Sequence, residues 1–251
     1  MNTLNTPKLA GKTALITGGS RGIGAAIAHR LAADGAAVAI TYSSSANKAD
    51  EVVQSIQAAG GRALAIQADA ADAAAAVQAI AQTVKAFGGI DILVNNAGYL
   101  AVAPLEQFTL ADFDRSVAIN VRAVFVAAQE AARHMGAGGR IINIGSINAD
   151  RMPFAGGGVY AMTKSALVGL VKGLARDLGP HGITINNVQP GPVDTEMNPA
   201  SGPFAETLKG LMALPRYAHA EEIAGMVSYL ASGEAGFVTG ASLTIDGGFA
   251  A

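Results

Sequence analysis

Residues 13–24 read T-A-L-I-T-G-G-S-R-G-I-G. Thr13 to Thr17 is a short apolar run stopped by Gly18, the pattern of a buried parallel strand. Ile23 to Asp34 follows with helical spacing: Ile23, Ile27, Ala28 and Leu31 share a stripe, and Gly35 stops it. The turn between is the informative part. Its glycines allow a tight bend and a close backbone approach to a pyrophosphate, which the following helix N-terminus attracts. The spacing is G-x-x-x-G-x-G rather than G-x-G-x-x-G. By itself such a cluster reads equally as a tight structural turn. Lying between the first strand and first helix of an alternating chain, it marks Gly18, Ser20, Arg21, Gly22, Ile23 and Gly24 as nucleotide contacts.

The alternation continues outward from this stretch. Strands are expected at Ala37–Tyr42, Ala63–Gln67, Asp91–Val94, Arg140–Ile144, Ile183–Val188 and Ser242–Ile245. Helices are expected at Ala46–Ala59, from the alanine-rich stretch to about Phe87, at Leu110–Met135, Val159–Leu178 and Glu221–Leu230. Residues 1–10 read as a loose lead-in, and 192–218 as irregular and rich in Pro and Gly. Strand–helix alternation of this kind predicts an α/β, doubly wound parallel sheet with helices on both faces. No composition shift marks a second unit, so residues 1–251 read as one domain. Ligands in such sheets bind beyond the carboxyl ends of the strands. Gly18, Tyr42, Asp69, Asn95, Ser146 and Pro190 all fall at such ends.

Composition narrows the chemistry. Charged residues make up 14 % of the 251, and the net charge is −2. No basic run exceeds two residues, which argues against nucleic acid as a partner. There are no cysteines, so disulfide and thiolate chemistry are excluded. The histidines, His29, His134, His181 and His219, are scattered, and no metal site is expected. No apolar run reaches the ~18 residues of a membrane span. The expectation is a cytoplasmic protein with no membrane partner.

Four further stretches carry chemistry. The second strand ends Thr41-Tyr42-Ser43-Ser44-Ser45, with no acid before Asp50. Folds that take NAD put an acid here for the ribose 2′-hydroxyl. Arg21, Tyr42, Ser43 and Ser44 could instead receive a 2′-phosphate, so NADPH is expected in preference to NADH. Asn95-Asn96-Ala97-Gly98 follows the fourth strand: its asparagines can tie strand ends together, and Gly98 lets a dinucleotide pass. Asn120 sits within an apolar helix, where a satisfied core asparagine is the simplest reading. Gln189-Pro190-Gly191-Pro192-Val193-Asp194-Thr195 forms a rigid turn after the sixth strand. Backbone at Val193 and the Thr195 hydroxyl could hold a carboxamide and a phosphate.

The last is Gly145–Lys164, G-S-I-N-A-D-R-M-P-F-A-G-G-G-V-Y-A-M-T-K. Tyr160 and Lys164 are four residues apart and share a helix face. A phenol with a pKa near ~10 is a poor acid–base group at neutral pH. A neighbouring ammonium and a cationic nicotinamide would stabilise its phenolate. Ser146, at a strand end, would hydrogen-bond a substrate oxygen as charge develops on it.

With these residues in place, the chain resembles the short-chain dehydrogenase/reductase family over essentially its whole length. The matching motifs are T-G-G-S-R-G-I-G, N-N-A-G, Asn120, Ser146, Y-A-M-T-K, P-G-P-V-D-T and T-G-A-S-L-T-I-D-G-G. The resemblance implies a seven-stranded Rossmann-type sheet, a homotetramer (a dimer of dimers), and reversible hydride transfer between NADP(H) and a carbonyl. It makes Tyr160 the general acid/base. Lys164 would bind the nicotinamide ribose and lower the tyrosine pKa, and Ser146 would polarise the carbonyl. Asn120 would hold a water relaying protons to Lys164, in place of the core reading. Asp69 and Ala70 would meet the adenine, and Asn96, Ala97 and Gly98 would line the cofactor.

Within the family, G-S-I-N-A-D-R-M-P, V-Q-P-G-P-V-D-T and N-P-A-S-G-P look like the branch that includes a cyclic-di-GMP-binding biofilm-dispersal protein. That branch also resembles 3-oxoacyl-carrier-protein ketoreductases. Two function classes therefore stand: an NADPH-dependent carbonyl reductase acting on a small ketone or aldehyde, and a cyclic-di-GMP-binding regulator with little turnover. In the second, Arg151 and Arg216 would flank the site. The serine–tyrosine gap is fourteen residues where family members commonly have thirteen. The expected substrate lid, about 196–216, holds only Glu206 and Lys209 as charges between Met197 and Pro215, which suits an apolar ketone.

Overall fold

The computed structural model describes residues 7–251, so the lead-in expected over 1–10 lies outside the described residues as far as residue 6. From there the chain is already anchored. Leu9 is buried, and its amide donates to the Asp34 carbonyl at 2.8 Å.

Seven strands form one parallel sheet: β1 Thr13–Ile16, β2 Ala37–Tyr42, β3 Arg62–Gln67, β4 Ile92–Asn95, β5 Arg140–Ile144, β6 Thr184–Pro190 and β7 Ser242–Ile245. Their order is β3-β2-β1-β4-β5-β6-β7. β1 pairs with β2 through Thr13↔Ala37 and with β4 through Ala14↔Ile92. The strand order reverses between β1 and β4, which opens a crevice at their carboxyl ends. This is the Rossmann-type doubly wound sheet expected.

Side-chain alternation sends each strand's residues to two cores. On one face Ala14, Ile16, Val38, Ile40, Val94 and Ile142 pack against α1 (Gly22–Ala33), α2 (Ala46–Ala58) and α8 (Ala220–Ala231). On the other, Leu15, Ala39, Leu93, Ile141 and Ile185 pack against α3 (Ala73–Phe87), α5 (Ala123–His134) and α6 (Gly158–Leu178). Ile27 and Leu31 of α1 and Val171 of α6 are fully buried, which fits the apolar stripes of those helices.

Two expectations need correction. The single helix expected over Leu110–Met135 is two: α4 (Leu110–Val117) and α5, separated by a π-helical turn at Ala118–Arg122. The Ala123 amide there donates to the carbonyl of Ala118, five residues back. Such widened turns cluster at functional sites, and periodicity does not reveal one because the apolar pattern continues through it. The irregular stretch 192–218 also contains a short helix, α7 (Ala205–Lys209), and an isolated bridge pairing Val193 with Ala218.

Candidate active site

The glycine turn is held by the residues around it. The Gly18 amide donates to Thr41 Oγ1 at 3.0 Å, and the amides of Asn96 and Ala97 donate to Thr17 Oγ1, each at 3.0 Å. Asn96 Nδ2 donates to the carbonyls of Thr17 and Gly18 at 2.9 and 3.0 Å. The asparagine loop thus braces the glycine turn across β1 and β4. Gly18 has φ +65°, a region that glycine enters without strain. A Cβ on Gly24 would lie 2.4 Å from the Gly18 carbonyl oxygen and 2.5 Å from Asn96 Nδ2. Neither α1 nor α2 has a side-chain cap at its N-terminus, and neither has an acid in its first turn. Their unpaired amides suit an anion.

Asn95 carries the bracing further. Its Nδ2 donates to Asn143 Oδ1 at 2.9 Å on the neighbouring strand, and Asn187 Nδ2 donates to Ser242 Oγ at 3.3 Å one strand on. The first pair joins the carboxyl ends of β4 and β5, and the second joins the middle of β6 to the start of β7. The asparagines do tie strand ends together.

All the residues expected to touch the cofactor line one cleft of about 760 Å³. It runs from the glycine turn past Tyr42–Ser44, Asp69, Ala70 and Asn96–Gly98 to Pro190, Gly191, Val193 and Thr195. Ser146, Tyr160 and Lys164 line the same cleft. Asn120 does not. It is buried below, at the centre of the π-helical turn, where its side chain is satisfied by the protein. Oδ1 accepts from the Tyr99 amide at 2.8 Å; Nδ2 donates to the Tyr99 carbonyl at 2.9 Å and to Thr163 Oγ1 at 3.0 Å. Both amide hydrogens are used.

Lys164 is buried, and its Nζ donates to the Ile144 carbonyl at 2.9 Å. It lies 5.7 Å from the centre of the Tyr160 ring. Burial lowers its pKa to about 8. Burial pushes the Tyr160 phenol upward, and Ser146 pulls it partly back. The polypeptide thus keeps the phenol protonated at neutral pH, and the lowering expected of the lysine is not what dominates. Ser146 Oγ donates to Asn148 Oδ1 at 3.2 Å and accepts from the Asn148 amide at 3.1 Å. Asn148 Nδ2 in turn donates to the Arg151 carbonyl at 3.0 Å.

The expected lid supplies two residues of the cleft's apolar wall, Met197 and Leu208, and the rest of that wall was not legible in the sequence. Leu100, Ile147, Phe154, Met197, Leu208 and Phe249 give the cleft an apolar wall beside Ser146 and Tyr160. They come from five separate loops and short helices, and no spacing links them. Glu196 also lines the cleft; its carboxylate meets Arg21 at 3.0 Å and Lys48 at 2.5 Å. Of Arg151 and Arg216, expected to flank the site, Arg151 lies against the cleft-lining Phe249 and Asn148, and neither arginine lines the cleft itself. Arg151 donates to the Phe249 carbonyl and stacks 5.3 Å over that ring. Arg216 forms a two-pronged pair with Glu222 at 2.7 and 2.8 Å. Among the described residues no cluster of His, Asp and Glu could hold a metal, and no helix is long and apolar enough to cross a membrane.

Comparison with known proteins bears on this cleft. A family model described as enoyl-(acyl carrier protein) reductase matches residues 18–250. A short-chain dehydrogenase/reductase from Serratia marcescens is 64 % identical, with a TM-score of 0.96, over 97 % of this chain and 100 % of that one. The chain belongs to the short-chain dehydrogenase/reductase family. Two other relatives are similar over nearly their full length. A short chain dehydrogenase from Burkholderia cenocepacia, solved in complex with NADP, is 55 % identical with a TM-score of 0.96, covering 97 % of this chain and 100 % of that one. The cyclic-di-GMP-binding biofilm dispersal mediator protein of Escherichia coli is 51 % identical over 241 residues, 96 % of this chain and 98 % of the mediator.

Proposed function

We propose that this short-chain dehydrogenase/reductase is an NADPH-dependent carbonyl reductase. One observation carries the reading: Ser146, Tyr160 and Lys164 line the same cleft as the glycine turn and the uncapped first turn of α1. A protein that only bound a nucleotide would have no use for a phenol and a buried ammonium there.

When bound, NADPH supplies the hydride to a carbonyl carbon. The protein's share is the proton and the positioning. Tyr160, held protonated by its surroundings, gives its phenolic proton to the carbonyl oxygen as that oxygen becomes basic. Ser146 turns its hydroxyl from Asn148 to the same oxygen. Lys164 stabilises the phenolate left behind, and its low pKa lets it release a proton near neutral pH. Asn120 acts from outside the cleft, by holding the helical turn that carries Tyr160 and Lys164.

The phosphate chemistry favours NADPH over NADH. No acid lies between Tyr42 and Ser45, Arg21 lines the cleft with them, and Lys48 follows in the first turn of α2. The Burkholderia relative solved with NADP supports the same choice. The apolar wall from Leu100 to Phe249 suits an apolar ketone or aldehyde, with the stretch 196–216 as the substrate lid. Exposed Leu110, Phe125 and Met162 on α4, α5 and α6 support burial in a homotetramer. A panel of ketones and aldehydes assayed with NADPH and with NADH tests the function. Turnover of an apolar ketone with NADPH is expected, and turnover with neither cofactor would overturn it.

The Escherichia coli relative keeps a second reading open, the binding of cyclic-di-GMP. Of the arginines it would use, Arg151 stacks on Phe249 at the cleft wall, and Arg216 is paired with Glu222. Titration calorimetry with cyclic-di-GMP, with and without NADPH, decides: saturable binding at micromolar ligand supports this reading, and its absence leaves the enzyme.

A further inference from the structure

Glu196 follows Thr195 at the start of the proposed lid. Its carboxylate is shared between two cations from distant parts of the chain. Oε2 accepts from Arg21, in the glycine turn, at 3.0 Å, and Oε1 accepts from Lys48, in the first turn of α2, at 2.5 Å. All three side chains are about half exposed, at 57 %, 43 % and 56 % for Arg21, Lys48 and Glu196. Exposed ion pairs of this kind add little to stability, so holding the fold together is a poor account of the arrangement. Position is a better one. Arg21 and Glu196 line the cleft with Ser43, Ser44 and Ser45, where a 2′-phosphate would lie under the NADPH reading, and Lys48 joins them from α2. Ser45 caps α2 without a side-chain bond, so its hydroxyl is free for an anion.

Resting on that reading, which already gives Arg21 the 2′-phosphate, we propose that Lys48 joins Arg21 there and that Glu196 is the built-in competitor for both cations. The carboxylate offers one negative charge and two oxygens to the two cations. A phosphate monoester offers a charge of about −1.5 to −2 and three acceptor oxygens, so it outcompetes the carboxylate for the two cations. NADH lacks that group and leaves Glu196 in place. Cofactor choice is then coupled to the stem of the lid, because only NADPH frees residue 196 from the glycine turn and α2. Lys48 becomes a determinant of cofactor specificity that no motif marks.

The test is equilibrium binding of NADP⁺ and NAD⁺ to wild type, Glu196→Gln and Lys48→Gln. An exposed pair of ordinary strength corresponds to an affinity change of about 2- to 5-fold. Glu196→Gln is expected to bind NADP⁺ tighter by that factor, and Lys48→Gln weaker, with NAD⁺ unchanged in both. The differences shrink at high salt, since the pairs are exposed. Wild-type preference for NADP⁺ with either variant unchanged, or with both cofactors shifted alike, would overturn the subsite alone. Wild type that binds NADP⁺ no better than NAD⁺ would overturn the NADPH reading as well.

Discussion

Asn120 and Thr163 meet at 3.0 Å, and through that contact the centre of the π-helical turn grips α6 between Tyr160 and Lys164. Thr163 Oγ1 accepts from Asn120 Nδ2 and donates to the Tyr160 carbonyl at 2.8 Å. One chain of hydrogen bonds thus fixes the turn that spaces the phenol from the ammonium. The same asparagine holds both backbone polar groups of Tyr99.

Replacing Asn120 by Leu would leave the Tyr99 amide and carbonyl and the Thr163 hydroxyl without their partner. A buried group left unpaired costs about 1–3 kcal/mol, so urea denaturation should show a loss of at least that order. Thr163→Val is the milder variant: it breaks the link to α6 and the Thr163 bond to the Tyr160 carbonyl, and leaves the Tyr99 contacts in place. It should lower kcat with little change in NADPH affinity. Unchanged kcat in a folded Thr163→Val protein would remove the positioning role.

Much of this was legible in the sequence, for identifiable reasons. Strands such as Ala37–Tyr42 are buried on both faces and read as continuous apolar runs, and the glycine turn must sit where β1 meets α1. Asn120 is the instructive case. The cost of an unsatisfied amide says its side chain must be paired, as it is, while the relay role came only from the family resemblance. The π-helical turn around it left no trace, because the apolar residues run on through it. Lys48 and Glu196 were illegible for another reason: they meet across 148 residues of sequence, through exposed side chains with no periodic signal. The placement of Arg151 and Arg216 also depended on neighbours, Phe249 and Glu222, that no local pattern names.

Lys164 makes the stability depend on pH with a definite sign. Its pKa falls from 10.5 in a free side chain to about 8 in the folded protein. Between those values the unfolded chain binds more protons at this site than the folded one, so stability at this site rises with pH. Below about 8 the buried charge opposes folding, by an amount on the order of 3 kcal/mol. Relative to Lys164→Met, wild type should therefore gain stability from pH 8 to roughly 10.5. A stability difference between the two that stays flat over this range would show that the ammonium is not desolvated.

Gly24 should tolerate no side chain. The added carbon of Gly24→Ala would overlap the Gly18 carbonyl and the Asn96 amide, both fixed by other bonds. Overpacking of this sort costs about 1–3 kcal/mol, and here the displaced atoms belong to the cofactor cradle. The variant should lose NADPH binding before it loses its fold. Wild-type NADPH affinity in Gly24→Ala would show that the cradle does not need the close approach.

In the proposed reduction Tyr160 is the proton donor. Tyr160→Phe removes one oxygen from the cleft and leaves the ring in place. Ketone-dependent NADPH oxidation measured beside NADPH binding should fall by at least about 10²-fold while the affinity for NADPH holds. Turnover by Tyr160→Phe at the wild-type rate would contradict the account.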